Sequence, residues 1–156
     1  MFSRSCKYGL KAMVYIATNS FEGKNIMKIK EVAENSNLPV AFTAKLMGIL
    51  SKHNLIQSQT GPNGGFYLEQ EKLHEIKLSQ IVQAIDGDFV YKGCGLGLNY
   101  CDIDNPCPLH DDFKQIRDGL KNMLESTSIY DLAIKVKQGQ SFLSPMIDEN
   151  LMKWVN

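Results

Sequence analysis

Residues 26–68, IMKIKEVAENSNLPVAFTAKLMGILSKHNLIQSQTGPNGGFYL, contain the signals that decide the fold. Apolar residues recur on one side of a short amphipathic helix over 26–34, and the polar run 35–37 ends it. Pro39 suits the first turn of a further helix that extends to about His53 with its apolar side chains inward. Two short helices across a tight turn predict a helix-turn-helix unit.

The residues on either side of these helices extend the unit. Residues 8–17 carry apolar side chains at helical spacing, which predicts a preceding helix with much of its surface buried. Residues 55–60 alternate like a strand, 61–65 are rich in turn residues, and 66–68 resume as a strand, so this segment predicts a β-hairpin. A helix-turn-helix followed by a hairpin is a winged helix.

Charge is distributed unevenly along the chain, although the net charge is zero with 17 basic and 17 acidic side chains. Residues 1–68 contain eight basic and three acidic side chains, and the remainder contains nine basic and fourteen acidic ones. This pattern favours a basic module that binds a polyanion, and a solvated lysine-rich face is the alternative. The chain has no long apolar run and no secretory signal, so we expect a cytoplasmic protein without a membrane segment.

A winged helix places its second helix in the major groove, while its hairpin reaches phosphates or the minor groove of double-stranded DNA. Thr43 at the start of that helix suits base edges, Ala41 suits a thymine methyl group, and lysines suit phosphates. We therefore predict DNA contacts from outward side chains of the helices and the wing. They are Arg4, Lys28, Pro39, Ala41, Thr43, Lys45, Lys52, Thr60, Pro62 and Asn63.

Three cysteines and a histidine follow the winged helix in the pattern Cys94-x6-Cys101-x5-Cys107-x2-His110, within seventeen residues. Glycines between them let the backbone fold back, so these four side chains are candidate ligands of one metal centre. His110 lies about one helical turn after Cys107, and a surface histidine beside acidic residues is the alternative. The spacing alone leaves both zinc and an iron-sulfur cluster open.

Taken in order, these segments resemble the winged-helix transcription regulators typified by the iron-sulfur cluster regulator IscR and the nitric-oxide-sensitive repressor NsrR. The resemblance covers roughly residues 1–135. The segments that carry it, besides the cysteines, are SCKYGLKA at 5–12, IKEVA at 29–33, GPNGGFYL at 61–68 and LSQIVQAIDG at 78–87.

The resemblance implies a mainly α fold with a small β-hairpin, in which a winged helix-turn-helix domain precedes a long C-terminal dimerisation helix. It also implies a homodimer, an operator that is an inverted repeat, and an iron-sulfur cluster of [2Fe-2S] or [4Fe-4S] type in the cysteine loop. The expected divisions are the DNA-binding domain at 1–70, a linker helix at 71–92, the cluster loop at 93–110, the dimerisation helix at 111–136 and a tail at 137–156.

The sequence also departs from the family pattern. Six residues rather than five separate Cys94 from Cys101, and Thr60 replaces the usual arginine of the wing. Cys6 replaces a basic residue of the first helix, either as a small apolar substitute or as a second redox group.

The function expected from these features is that of a dimeric, non-enzymatic DNA-binding regulator. In this hypothesis an iron-sulfur cluster that senses redox, nitric oxide or cluster status controls operator affinity. A winged-helix regulator with a zinc or thiol-disulfide site is the main alternative. A cluster-carrying electron-transfer protein or enzyme would leave the basic half unexplained, and no catalytic dyad accompanies the cysteines.

Overall fold

The computed structural model describes residues 1–23 and 26–143, so most of the expected tail at 137–156 lies outside the described residues. The described chain is mainly helical with one two-stranded antiparallel sheet, which confirms the predicted fold class. Its elements are α1 (Arg4–Ser20), α2 (Ile29–Asn35), α3 (Val40–Lys52), β1 (Gln57–Gln59), β2 (Gly65–Tyr67), a 3-10 turn (Gln70–Lys72), α4 (Leu78–Asp86), α5 (Phe89–Lys92), α6 (His110–Ser126) and α7 (Ile129–Lys137).

Helix α1 is the centre of the hydrophobic core. It begins where the Ser3 hydroxyl accepts a hydrogen bond from the Cys6 backbone N–H at 3.0 Å, which satisfies one of the free donors of the first turn. Helices α2, α3, α4 and α7 all pack against it. The largest fully buried side chains are Met13, Ile16, Met27, Leu46, Met47, Leu50, Ile56, Leu68, Leu73, Ile81, Leu124 and Ile129.

The wing is a hairpin in which Gln57 pairs with Tyr67 and Gln59 with Gly65. Met27 adds a further pairing outside the hairpin, because its N–H and C=O both bond to Phe66 at 2.9 Å. This pairing holds Met27 in an extended conformation, so α2 begins only at Ile29 and not at residue 26 as the sequence predicted. The wing is thereby attached to the residue that leads into the helix-turn-helix.

Helix α4 joins the DNA-binding part to the C-terminal part of the chain. It packs against α1 and α3 on one side and against α6 on the other. At its C-terminal end the Asp86 carboxylate accepts hydrogen bonds from the Ser3 backbone N–H at 2.9 Å and from the Ser3 hydroxyl. The end of α4 is therefore attached to the beginning of α1.

The prediction of a single helix over 111–136 is wrong, because this segment forms two helices, α6 and α7, with a break between them. Thr127 is extended, with φ −88° and ψ 126°, and its carbonyl accepts from the Leu78 N–H at 3.0 Å. Ser128 then caps α7: its backbone N–H donates to the Asp131 carboxylate at 2.7 Å, and its hydroxyl accepts from the Asp131 N–H at 3.2 Å. Hydrogen bonds from the Ser128 hydroxyl and N–H hold the pKa of Asp131 below its ordinary value. The cap turns α7 back onto α1.

We predict that Ser128→Ala lowers the free energy of unfolding by about 1 kcal/mol, because it removes the N-cap of α7. Urea denaturation followed by far-ultraviolet circular dichroism measures the change. Ser126→Ala is the matched control, since the exposed Ser126 hydroxyl donates only to the Met123 carbonyl at 3.2 Å. Equal denaturation midpoints for the two variants would contradict the role of the cap.

Candidate metal centre and nucleic-acid interface

The cysteine loop between α5 and α6 is folded against α6 by two glycines. Gly97 has φ 75°, a conformation that favours glycine, and its N–H donates to the Cys94 carbonyl at 3.0 Å to close a turn. A Cβ atom at Gly95 would lie 2.6 Å from the Phe113 ring, so only glycine permits this approach. The glycine-rich spacing that predicted a folded-back loop thus brings Cys94 to the surface of α6.

The four predicted ligands form two pairs. The sulfurs of Cys94 and Cys107 are 3.8 Å apart, and the Cys101 sulfur is 3.2 Å from Nδ1 of His110. All of these cysteines are free thiols. Within residues 1–23 and 26–143, no three histidine, cysteine or acidic side chains are placed to share a single metal ion. The loop therefore brings the four residues together as two separate donor pairs.

Cys107 lies three residues before the first residue of α6. The helix begins at His110 with Leu109 as its N-cap. The Cys107 carbonyl accepts from the His110 N–H at 2.9 Å, which forms a separate turn before the helix. This turn directs His110 to Cys101 and leaves Cys107 to meet Cys94.

The surroundings of Cys94 favour its ionised form. The backbone N–H groups of Leu98 and Leu96 hold the pKa of the Cys94 thiol below its ordinary value, and Cys107 contributes in the same direction. Hydrogen bonds to a thiolate stabilise it relative to the thiol. Since the thiolate is the form that binds metals, this turn prepares Cys94 as a ligand.

Arg117 is a residue of the site that the sequence reasoning missed. Its Nη1 donates to the Gly93 carbonyl at 2.6 Å, and its Nη2 lies 3.4 Å from the Cys101 sulfur. The buried positions of α6 are His110, Arg117 and Leu124, at steps of seven residues. Arg117 occupies the middle of these buried positions, whereas its neighbour Ile116 is 60% exposed.

Cys6 lies apart from the loop cysteines and belongs to the core. It is fully buried, and burial together with the nearby Asp86 carboxylate raises the pKa of its thiol to about 12. A neutral, inaccessible thiol behaves as a small apolar side chain. This environment agrees with the apolar interpretation of Cys6.

The predicted DNA contacts are exposed at nine of ten positions. Arg4, Lys28, Pro39, Ala41, Lys45, Lys52, Thr60, Pro62 and Asn63 are exposed. Thr43 is the exception: it is fully buried, and its hydroxyl donates to the Pro39 carbonyl at 2.9 Å. The buried row of α3 includes Thr43, Leu46, Met47 and Leu50, so helical spacing places Thr43 inward and its prediction as a base contact is wrong.

The exposed start of α3 and the wing belong to one connected unit. Ser51 near the end of α3 and Ser58 in β1 have hydroxyl oxygens 3.4 Å apart, which joins the helix to the hairpin. Arg4 is exposed and held by its neighbour, because its Nε donates to the Tyr8 hydroxyl at 2.9 Å.

None of the helices in the described ranges has the length and apolar character needed to span a membrane.

The sequence is similar to known proteins over most of its length. The profile of the Rrf2 family, described as "Iron-dependent Transcriptional regulator", matches residues 2–135. A protein from Aquifex aeolicus named as an HTH-type transcriptional regulator is 31% identical over 134 residues, which are 85% of this chain and 90% of that protein. IscR from Photorhabdus laumondii is 25% identical over 126 residues, covering 81% of this chain and 74% of IscR.

Solved structures, CymR and IscR among them, have the same fold as this chain. CymR of B. subtilis, described as the global cysteine regulator, superimposes with a TM-score of 0.71 and 25% identity over 86% of this chain and 96% of CymR. T. potens IscR has the same fold, with a TM-score of 0.69 and 20% identity over 94% of this chain and 95% of IscR. With its winged helix and its match over residues 2–135, the chain belongs to the Rrf2 family of DNA-binding transcription regulators, which are not enzymes.

Proposed function

We propose that this regulator is a homodimer that binds an iron-sulfur cluster through Cys94, Cys101, Cys107 and His110. Its operator affinity then depends on redox, nitric oxide or the presence of the cluster. The observation that carries the proposal is the division of the four ligands into two donor pairs, of which Cys94 with Cys107 has the separation expected for two ligands of one metal ion and Cys101 with His110 is somewhat closer.

The distances can be compared with metal geometry. Two thiolates on one tetrahedral metal, each at about 2.3 Å, lie about 3.8 Å apart, and a thiolate and an imidazole lie about 3.6 Å apart. The pairs here measure 3.8 Å for Cys94 with Cys107 and 3.2 Å for Cys101 with His110. Two pairs suit a centre with two irons that each take two protein ligands, which favours [2Fe-2S] over [4Fe-4S].

When bound, a cluster supplies a charge and a ligation state that change on oxidation or nitrosylation. The protein itself connects the loop to the DNA-binding part. Arg117 joins the loop to α6, α6 packs on α4, and α4 packs on α1 and α3. A rearranged loop is thus linked to the helix that reads DNA through packed elements. A coupling of about 1 to 3 kcal/mol would change operator affinity about 5- to 150-fold.

A zinc or thiol-disulfide site is the second candidate. The lowered pKa of Cys94 and its contact with the Cys107 sulfur suit thiol chemistry, and the similarity to a protein described as a cysteine regulator supports it. A disulfide requires a sulfur separation of about 2.05 Å, so the two sulfurs would have to move closer. A single zinc ion would need the two pairs to converge on one point.

The surface of α6 supports the homodimer. Apolar side chains follow each other at steps of four and three residues, the spacing with which one helix packs along another. They are Leu109, Phe113, Ile116, Leu120 and Met123. Of these, Ile116 is 60% and Met123 44% exposed, so much of the seam has no partner within the described chain. A second copy of the same seam would cover it, and a two-fold dimer would read an inverted repeat.

We predict that protein purified without oxygen contains about two irons and two sulfides per chain, with broad visible absorbance. Cys101→Ala should lose both, because it removes one ligand of the second pair. Cys6→Ala is the control and should keep them, since Cys6 is buried elsewhere in the core. Iron, sulfide and zinc assays on one sample measure the outcome. A colourless protein with about one zinc per chain would replace the cluster by the zinc alternative.

We predict that Lys45→Ala weakens DNA binding and reduces the salt dependence of log K by about one unit, because an exposed lysine at the start of α3 contacts phosphate. The probe is a duplex enriched from a random pool by the wild-type protein. Lys135→Ala, an exposed lysine on α7, is the control and should leave binding unchanged. A salt slope that Lys45→Ala does not alter would remove Lys45 from the interface.

We predict that the double variant Ile116→Asp, Met123→Asp is monomeric, because charge on the α6 seam opposes its burial. Multi-angle light scattering at micromolar concentration should give twice the chain mass for the wild type and the chain mass for the variant. Val40→Asp is the control, since Val40 is 46% exposed on α3. A monomeric wild-type protein would rule out the dimer.

A further inference from the structure

We propose that Arg117 is a positioning residue of the metal site, with two roles. Its guanidinium holds the two donor pairs in a fixed relation on α6, and its positive charge offsets that of the thiolate ligands. This inference rests on the proposed cluster site and assigns a role to a side chain that is not itself a ligand.

The contacts of Arg117 reach both parts of the ligand set. One nitrogen, Nη1, bonds to the carbonyl of Gly93, the residue directly before Cys94, at 2.6 Å. The other, Nη2, lies 3.4 Å from the sulfur of Cys101. Because a guanidinium is rigid and planar, these two contacts fix the start of the loop relative to Cys101. One side chain therefore connects the Cys94–Cys107 pair to the Cys101–His110 pair.

The charge of Arg117 also needs an anion. The residue is 9% exposed, and its guanidinium lies 5.7 Å from the centre of the Phe113 ring. Asp118, the next residue, binds Lys114 Nζ at 2.7 Å instead. Among the described residues, no carboxylate forms an ion pair with Arg117. A buried cation is costly unless a negative group lies beside it, and the group in contact here is the Cys101 sulfur, which would carry negative charge as a thiolate ligand of a bound metal.

The contacts of Arg117 should affect both the affinity of the site for metal and the reduction potential of a bound cluster. Groups that orient metal ligands raise metal affinity, and their loss typically costs about 10- to 100-fold. Positive charge and hydrogen bonds at the sulfurs stabilise the more negative, reduced state of a cluster. Arg117 should therefore tighten metal binding and make the bound cluster easier to reduce.

The experiment compares full-length wild type with Arg117→Met, which removes charge and donors at similar length, and with Arg117→Lys, which keeps the charge. Lys114→Met is the control, because Lys114 is an exposed cation on the same helix. Cluster-free proteins are titrated with Co²⁺ alone, followed by absorbance. Reconstituted proteins are then titrated for reduction potential.

We predict that Arg117→Met binds Co²⁺ roughly 10- to 100-fold more weakly and gives a lower reduction potential. Arg117→Lys should restore most of the potential, and Lys114→Met should match the wild type in both measurements. Thermal denaturation checks that each variant is folded. If Arg117→Met does not fold, Arg117→Lys still tests the positioning role, because lysine lacks the planar guanidinium that makes both contacts and should then bind Co²⁺ more weakly.

The possible failures are distinguishable. A wild type that binds neither Co²⁺ nor iron with sulfide overturns the proposed metal site and this inference together. A metal-binding wild type whose affinity and potential are unchanged in Arg117→Met overturns only the role of Arg117. An Arg117→Met variant with weakened binding but unchanged potential overturns the electrostatic role and leaves only the positioning role of Arg117.

Discussion

The packing of α4 between two parts of the chain is the constraint on which the rest of the molecule depends. Ile81 and Val82 of this helix are fully buried, and burial of each such side chain contributes about 1.5 to 3 kcal/mol. Because α4 contacts α1 and α3 as well as α6, the DNA-binding part shares one core with the helix on which the cysteine loop lies. A structural change in the cysteine loop would therefore act on a continuous packed interior and not on a flexible linker.

The sequence predicted those features that depend on local pattern. The helix-turn-helix and the wing follow from apolar spacing and turn residues, the family follows from the resemblance of several segments taken in order, and the glycines between the cysteines indicated that the loop folds back. The start of α2 and the break before α7 were missed, because both depend on backbone bonds to distant residues. Met27 pairs with Phe66, and Thr127 accepts from Leu78. Thr43 was misplaced for a local reason, since its hydroxyl suggested a DNA contact although helical spacing places it inward.

The sequence also could not predict which of the candidate ligands pair with each other. Spacing identified four candidate side chains, but which of them meet depends on two turns, at Cys94 to Gly97 and at Cys107 to His110. The second turn separates Cys107 from the helix and sends His110 to Cys101. Arg117 completes the arrangement from the helix side. The burial of Arg117 and its contacts could be identified only once the loop was placed.

The bridge between Met27 and Phe66 has a consequence for how such a regulator evolves. An isolated two-stranded hairpin is only marginally stable, and the additional pairing anchors the base of the wing in the core. The tip, Thr60 to Asn63, lies beyond the paired residues and is exposed. Substitutions at Thr60, Pro62 and Asn63 change the surface offered to DNA at little cost in stability, whereas Gly61 has φ 100° and favours glycine. Descendants of one ancestral regulator can therefore acquire new target sequences while the rest of the fold stays unaltered.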